Sequence, residues 1–124
     1  MASHAIIHVE LPARDLEASS DFYEKLFGWK INRSPNYVAF QPESGPGGGF
    51  NPLADESSGQ KVLIKPGDVF IYVDTEDIDQ TLEKAVALGG QVLIGRTEIS
   101  GAGWFAVFID PTGNRMGLLH YNTP

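Results

Sequence analysis

The sequence predicts an α+β fold in which two βαβββ modules form a curved mixed sheet around a cleft. Each half of the chain reads as a strand, a helix and then three strands. The two helical segments can also be superposed, DLEASSDFYEKLFG at 15–28 on DIDQTLEKAVALGG at 77–90. A later pair of segments aligns as well, FQPESG at 40–45 on IDPTG at 109–113. An internal repeat of this kind indicates that one small unit is present twice.

The domain organisation follows from the size of that unit. A single βαβββ unit is too small to bury a stable core alone, so we expect one domain over residues 1–124. We place the repeats at about 5–54 and 67–122. The segment between them, residues 55–66, is polar, and with its two flanking residues (54–67) it contains two glycines, which is typical of a linker.

In the first half, an apolar and partly β-branched run predicts a strand over Ile6–Leu11. A helix follows, with Asp15 as its N-cap and Gly28 as its C-cap. WKIN and YVAF are runs of strand length, separated by the turn residues 33–36. The next segment, PESGPGGGF, is rich in glycine and predicts a turn that leads into Phe50, with residues 47–49 as a bulge or a close backbone approach of a strand.

The second half repeats this order. A strand is expected over Val69–Val73, and either Thr75 or Asp77 caps a helix that ends at the glycine pair 89–90. QVLI, WFAVFI and MGLLHY then read as strands. The segment DPTGN forms a tight turn between the last two of them.

Composition excludes several classes of function. The chain has no cysteine, so disulfides, thiolate nucleophiles and cysteine metal ligands are absent. The net charge of −7 disfavours nucleic acid and anionic lipid as partners. No apolar run approaches the roughly 20 residues that span a bilayer, and the N-terminus lacks a signal-peptide pattern. We therefore expect a cytoplasmic protein with no membrane or nucleic-acid partner.

Two motifs carry a resemblance to a known family. HVEL followed by RDLEASSDFYEKLFGW stands at the front of the chain, and FIDPTGNRMGLL stands near its end. With the duplication, they resemble the vicinal oxygen chelate superfamily, which contains glyoxalase I, bleomycin-resistance proteins, fosfomycin-resistance enzymes and extradiol dioxygenases. The resemblance implies the glyoxalase/bleomycin-resistance/dioxygenase fold. It also implies frequent dimerisation and, in the enzymes of the family, one divalent metal.

The resemblance implies up to four metal ligands, at matching places in the two modules. His8 stands at the first place and Asp68 at the third. The second and fourth places fall on Gly49 and Gly117, which have no side chain to offer. A divalent metal (Ni, Zn, Co, Mn or Fe) would therefore be held by His8, Asp68 and water alone. The substitution Gly117→Glu is expected to raise metal affinity.

Strand alternation extends this pair to a candidate pocket. If His8 and Asp68 point into the cleft, their strand neighbours at alternate positions do so too. Glu10 follows in this way from His8, and Phe70 and Tyr72 follow from Asp68. Tyr121 joins them on the last strand, and we add Phe50 and Trp104 as wall or rim residues. Glu10 is the candidate catalytic base, because a carboxylate beside an imidazole suits proton abstraction next to a carbonyl. Two plainer interpretations stay open: Glu10 could be solvated at a sheet edge, and Asp68 could simply end a turn.

Three functions remain open, one of which is an accessory domain whose sheet pairing only builds a dimer. The first is binding of a small organic molecule in the cleft between the modules, without a complete metal site, as in the bleomycin-resistance proteins. The alternative is a metal-dependent, glyoxalase-like lyase or isomerase. A homodimer is expected in each case. The sequence does not identify the ligand or substrate.

Overall fold

The computed structural model of the chain describes residues 3–34, 37–52 and 64–122. These residues group into two units, an N-terminal unit from His8 to Phe70 and a C-terminal unit of residues 3–7 and 71–122. Most of the predicted linker, residues 55–63, lies outside the described residues. The predicted repeat boundaries therefore stay a prediction.

The N-terminal unit has the predicted βαβββ order. Its strand order is β2-β3-β4-β1, with β1 and β4 parallel and the other pairs antiparallel. The elements are β1 (Ile6–Pro12), α1 (Leu16–Phe27), β2 (Lys30–Ser34), β3 (Tyr37–Gln41) and β4 (Gly47–Asn51).

Both predicted caps of helix α1 are confirmed. The Asp15 carboxylate accepts a hydrogen bond from the backbone N–H of Ala18 at 3.0 Å, which satisfies one of the unpaired donors of the first turn. At the other end Gly28 adopts φ 72°, a left-handed conformation, and its N–H donates to the carbonyl of Glu24 at 2.8 Å. The sequence therefore gives both ends of this helix correctly.

The predicted turn occupies only the residues before the glycine run, and the run itself is a strand in which a neighbouring backbone approaches closely, as predicted. Gly47–Asn51 forms β4, which lies between β1 and β3. A Cβ atom on Gly48 would overlap the Val9 carbonyl of β1. The neighbouring backbone lies so close that this position accepts only glycine, although glycine by itself disfavours a strand.

The hydrophobic core of the N-terminal unit lies between the sheet and α1. Its buried members are Ala13, Val38, Phe40 and Phe50. From β1, Val9 and Leu11 pack against this core. Because side chains alternate along a strand, His8 and Glu10 occupy the other face of the sheet.

The C-terminal unit repeats the βαβββ order, so the predicted α+β fold class with two such modules is confirmed. Its strand order is β5-β8-β7-β6, with β5 and β8 parallel. The Asp77 side chain caps α2 by accepting from the N–H of Gln80 at 3.0 Å. The elements are β5 (Phe70–Asp74), α2 (Ile78–Ala87), β6 (Gln91–Ile99), β7 (Gly103–Ile109) and β8 (Arg115–Tyr121).

The core of the C-terminal unit lies on the α2 side of its sheet. Ile78 and Leu82 of α2 pack with Ala106 and Leu118 of the sheet. Since Leu118 faces the helix, Gly117 belongs to the opposite face of β8. Among the described residues, neither helix has the length and apolar character needed to cross a membrane. The cytoplasmic location stays a prediction.

Candidate functional site

A cluster of polar side chains lies on the face of the N-terminal unit that points away from α1. His8 Nε2 is 3.1 Å from Glu10 Oε2 and 3.0 Å from the Tyr37 hydroxyl oxygen. The hydroxyl is also 3.4 Å from Glu10 Oε2, and the Nδ2 of Asn51 donates to Glu10 Oε1 at 3.2 Å. Strands β1, β3 and β4 thus each bring polar groups to one place, which we call the polar cluster: His8, Glu10, Tyr37 and Asn51.

The hydrogen bonds of the cluster determine where one proton lies. An ionised carboxylate only accepts hydrogen bonds, so the short contact between Glu10 and His8 Nε2 requires a proton on that nitrogen. The side chains of His8 and Glu10 are only 16% and 17% exposed, so water competes weakly for this bond. The arrangement can hold a ligand oxygen, or relay a proton to and from one.

The structure brings together two of the predicted site residues, His8 and Glu10, and adds two that sequence reasoning missed. Tyr37 opens β3, and its ring stacks near the His8 ring at a centroid distance of 6.4 Å and an angle of 20°. Asn51 is the last residue of β4. The alternation of YVAF places Tyr37 opposite the core residues Val38 and Phe40, but only the strand pairing shows that it meets β1.

Asp68 lies in a turn before β5 and is exposed. Its carboxylate accepts a hydrogen bond from the backbone N–H of Lys65 at 3.1 Å, and its own N–H donates to the carbonyl of Lys65 at 2.9 Å. These bonds close the turn, which agrees with the plainer of the two interpretations given to this residue. The role of Asp68 as a metal ligand stays an untested prediction.

The aromatic candidates fall in different places. Phe50 is 1% exposed and packs against Tyr23 and Phe40 in the core of the N-terminal unit, so its ring has no surface to offer a ligand. Phe70 is also buried, whereas Tyr121 is half exposed at the end of β8. The interior position of Phe50 follows from strand alternation, because Phe50 shares the α1 side with Val38, its partner across the pair.

Trp104 lies on the α2 side of the C-terminal unit, because it pairs with His120 next to the core residue Leu118. Its indole lies under the guanidinium of Arg96, 4.6 Å from the ring centroid. It lines a recess of about 440 Å³ with Glu76, Asp77, Ile78, Asp79, Arg96, His120 and Asn122. Gly117, the residue that the resemblance matched to a metal ligand, belongs to the other face of this sheet.

The four positions matched to metal ligands do not fit a metal ion. Gly49 and Gly117 supply no donor, and the carboxylate of Asp68 is engaged in its turn. In the parts of the chain that the structure describes, no group of three or more His, Asp or Glu side chains could hold a metal. A Cβ on Gly117 would also overlap the ring of Tyr72. The expectation that Gly117→Glu raises metal affinity stays a prediction, and it requires the ring of Tyr72 to move aside.

The carboxyl of Asp110, in the DPTGN turn, has a shifted pKa. The side-chain amide of Asn114 donates to Asp110 at 3.0 Å, and the backbone N–H of the same residue donates at 2.8 Å. The N–H groups of Gly113 and Thr112 add two more bonds to the same carboxylate. These bonds stabilise the charged form and hold the pKa of Asp110 below its ordinary value. This carboxylate shapes the turn between β7 and β8.

Comparison with known proteins gives relatives over most of the chain. A Mycobacterium tuberculosis protein named as a provisional glyoxylase, CFP32, is 30% identical over 92% of this chain and 44% of its own length. The anthracycline biosynthesis protein DnrV of Streptomyces peucetius is 28% identical over 84% of this chain and 42% of its own length. The chain thus spans less than half the length of these two curated relatives.

Solved structures agree on the fold. A superfamily member from Vibrio splendidus, described as a glyoxalase/bleomycin resistance protein/dioxygenase, superposes with a TM-score of 0.63. The superposition covers 94% of this chain and 97% of the Vibrio splendidus chain at 16% sequence identity, so it supports a common fold only. A family model matches residues 5–118, almost the whole chain. The resemblance inferred from the sequence is confirmed: this chain belongs to the Glyoxalase/Bleomycin resistance protein/Dioxygenase superfamily.

Proposed function

We propose that this chain binds a small organic molecule at the polar cluster of its N-terminal unit, without a complete divalent-metal site. The observation that carries the proposal is the mutual contact of His8 Nε2, Glu10 Oε2 and the Tyr37 hydroxyl, at 3.0–3.4 Å. Ligand sites in proteins combine apolar or aromatic walls with a few fixed polar groups, and this cluster supplies the polar groups and one aromatic ring.

The relatives suggest which molecules to try first. The family takes part of its name from bleomycin resistance, and DnrV is named for anthracycline biosynthesis. Both kinds of compound are planar in part and carry several hydroxyl or carbonyl oxygens. Such oxygens match the donors and acceptors of an imidazole, a carboxylate and a phenol.

The binding proposal is tested with two titrations of the chain. Calorimetry measures the binding of metal-free bleomycin, and the fluorescence of an anthracycline measures the binding of that compound. We expect binding at a Kd of about 1 μM, or roughly −8 kcal/mol. The substitution His8→Ala should weaken it at least tenfold. His4→Ala is the matched control, because His4 is exposed and should leave affinity unchanged. Equal affinity of His8→Ala and wild type would contradict the proposal.

The alternative is a glyoxalase-like lyase or isomerase that removes a proton next to a carbonyl. The contact between Glu10 and His8 favours it, since a carboxylate paired with an imidazole is a suitable base. Its test is turnover of the methylglyoxal–glutathione adduct with added nickel, zinc, cobalt, manganese or iron(II). Turnover by the wild-type chain that is lost in Glu10→Gln would favour this activity over ligand binding. No turnover by the wild-type chain would leave ligand binding as the proposed function.

We also propose that the chain forms a homodimer, as the family resemblance implies. The mass of one chain is 13.5 kDa, so light scattering after gel filtration should give twice that value. A mass equal to one chain at micromolar concentration would remove this proposal and leave the ligand proposal intact.

A further inference from the structure

Two glycines of the sheets each lie directly beneath a tyrosine ring. A Cβ atom on Gly49 would overlap the hydroxyl and ring of Tyr37 in the N-terminal unit. A Cβ atom on Gly117 would overlap the ring of Tyr72 in the C-terminal unit. In both cases the tyrosine comes from the adjacent strand: Tyr72 pairs with Gly117, and Gly49 pairs with Ala39, two residues beyond Tyr37.

The contact with Gly49 decides where the Tyr37 hydroxyl lies. With no side chain beneath it, the ring lies on the backbone of β4, and its hydroxyl reaches His8 Nε2 at 3.0 Å. Any other residue at position 49 would lift the ring away from the sheet and from His8. Glycine at this position is therefore part of the geometry of the polar cluster.

The Tyr37 hydroxyl contacts His8 and Glu10, and the longer contact, to Glu10, can be exchanged for a hydrogen bond to a ligand. The Tyr37 hydroxyl donates to Glu10 Oε2 at 3.4 Å, which is long for an O–H donor, whose usual range is about 2.5–3.0 Å. A ligand oxygen could accept the hydrogen bond of this hydroxyl in place of Glu10. The ring is 38% exposed, so a ligand can approach it from solvent.

We propose that Gly49 is a positioning residue, and that the Tyr37 hydroxyl it places is a ligand-binding group beside His8 and Glu10. Gly117 positions Tyr72 in the same way in the C-terminal unit. The ligand class is an organic molecule with a hydroxyl or carbonyl oxygen next to a planar ring. The ligand-binding part of this inference rests on the proposed function, whereas the positioning part does not.

The positioning part is tested on the ligand-free chain by thermal unfolding. Gly49→Ala should lower Tm by a few degrees, because the added methyl group displaces the Tyr37 ring and breaks its hydrogen bonds. In a Tyr37→Ala background the same substitution should cost almost nothing. Gly117→Ala and Tyr72→Ala form a second cycle with the same expectation.

Two controls make the cycle specific. Gly48→Ala should be more harmful and should not be rescued by Tyr37→Ala, because the obstacle there is the Val9 backbone carbonyl. Gly95→Ala should be nearly neutral, because an added Cβ meets no atom within 4 Å. An equal cost of Gly49→Ala with and without Tyr37 would overturn the positioning part.

The ligand-binding part is tested with the same two probes, metal-free bleomycin and an anthracycline. Tyr37→Phe keeps the ring and removes the hydroxyl, and should weaken binding about tenfold while Tm stays within a few degrees of wild type. Unchanged affinity would overturn the role of the hydroxyl. If neither probe binds the wild-type chain, the proposed function and this role both fail, and the unfolding cycle still decides the positioning part.

Discussion

Glu10 is the acceptor around which the polar cluster is organised. Its two oxygens receive hydrogen bonds from three side chains, those of His8, Tyr37 and Asn51. Three donors from three strands fix the carboxylate more firmly than one partner could. The sequence left open whether Glu10 is a solvated residue at a sheet edge. Its side chain is only 17% exposed, so Glu10 is not fully solvated.

The proton on His8 gives a prediction at this scale. Because an ionised Glu10 can only accept, the neutral form of His8 should carry its proton on Nε2, and the imidazole ¹⁵N resonances should report that tautomer. Glu10→Gln should change the tautomer ratio, because an amide can also donate. His4 serves as the internal control in the same spectrum. A proton on Nδ1 in the wild-type chain would contradict the hydrogen-bond assignment.

Asp110 gives a second prediction. The Asn114 side chain is the largest cause of its lowered pKa, so Asn114→Ala should raise the pKa of Asp110 towards its ordinary value. A carboxyl NMR titration measures this, with Asn32→Ala in the N-terminal unit as control. Since the folded-state pKa is the lower one, the stabilising effect is complete above the unfolded-state pKa. It is lost as the pH falls from 3.8 through the folded-state value. An unchanged pKa of Asp110 in Asn114→Ala would mean that the backbone N–H donors alone cause the shift.

For helices and strands, the sequence patterns that depend on neighbouring residues gave the correct predictions. Asp15, Gly28 and Asp77 were recognised as caps because a cap depends on residues within one helical turn. The point at which the turn gives way to the glycine strand β4 was not predicted, because it depends on pairing with β1, which is distant in sequence. Tyr37 and Asn51 were missed for the same reason, since their proximity to Glu10 requires that pairing.

The cap of α1 gives a prediction for this scale. Gly28→Ala should lower the free energy of unfolding by about 1–2 kcal/mol, because φ 72° is unfavourable for a residue with a Cβ. An added Cβ meets no atom within 4 Å there, so the cost is conformational and not steric. Urea unfolding measures it, with Gly95→Ala as the control that lacks a left-handed φ. A neutral Gly28→Ala would mean that the helix end relaxes.

For the whole molecule, fold and family were predictable and the ligand was not. The repeat and the two motifs carry the fold, because a pattern that occurs twice is hard to produce by chance. The ligand depends on loop shape and on side chains such as Tyr37, which no local pattern marks as functional. The family itself hosts unrelated chemistries, so membership alone does not name a reaction.

The net charge gives a prediction for the whole molecule. At −7 the chain should repel phosphate backbones, so a fluorescently labelled DNA duplex should show no anisotropy change up to about 100 μM protein at low salt. A basic protein of similar size serves as the positive control. Binding that weakens with added salt would reveal a local basic surface and contradict this expectation.

The glycine strand also bears on the order in which the N-terminal unit folds. Three of the five residues of β4 are glycine, which costs more chain entropy to order than any other residue. Its pairing with β1 joins His8 to Gly47, roughly forty residues apart along the chain, so a long loop must close first. The β2–β3 hairpin needs no such closure. We therefore expect the pairing of β1 with β4 to form late, after β2, β3 and β4 have paired locally, which makes it a slow step of folding.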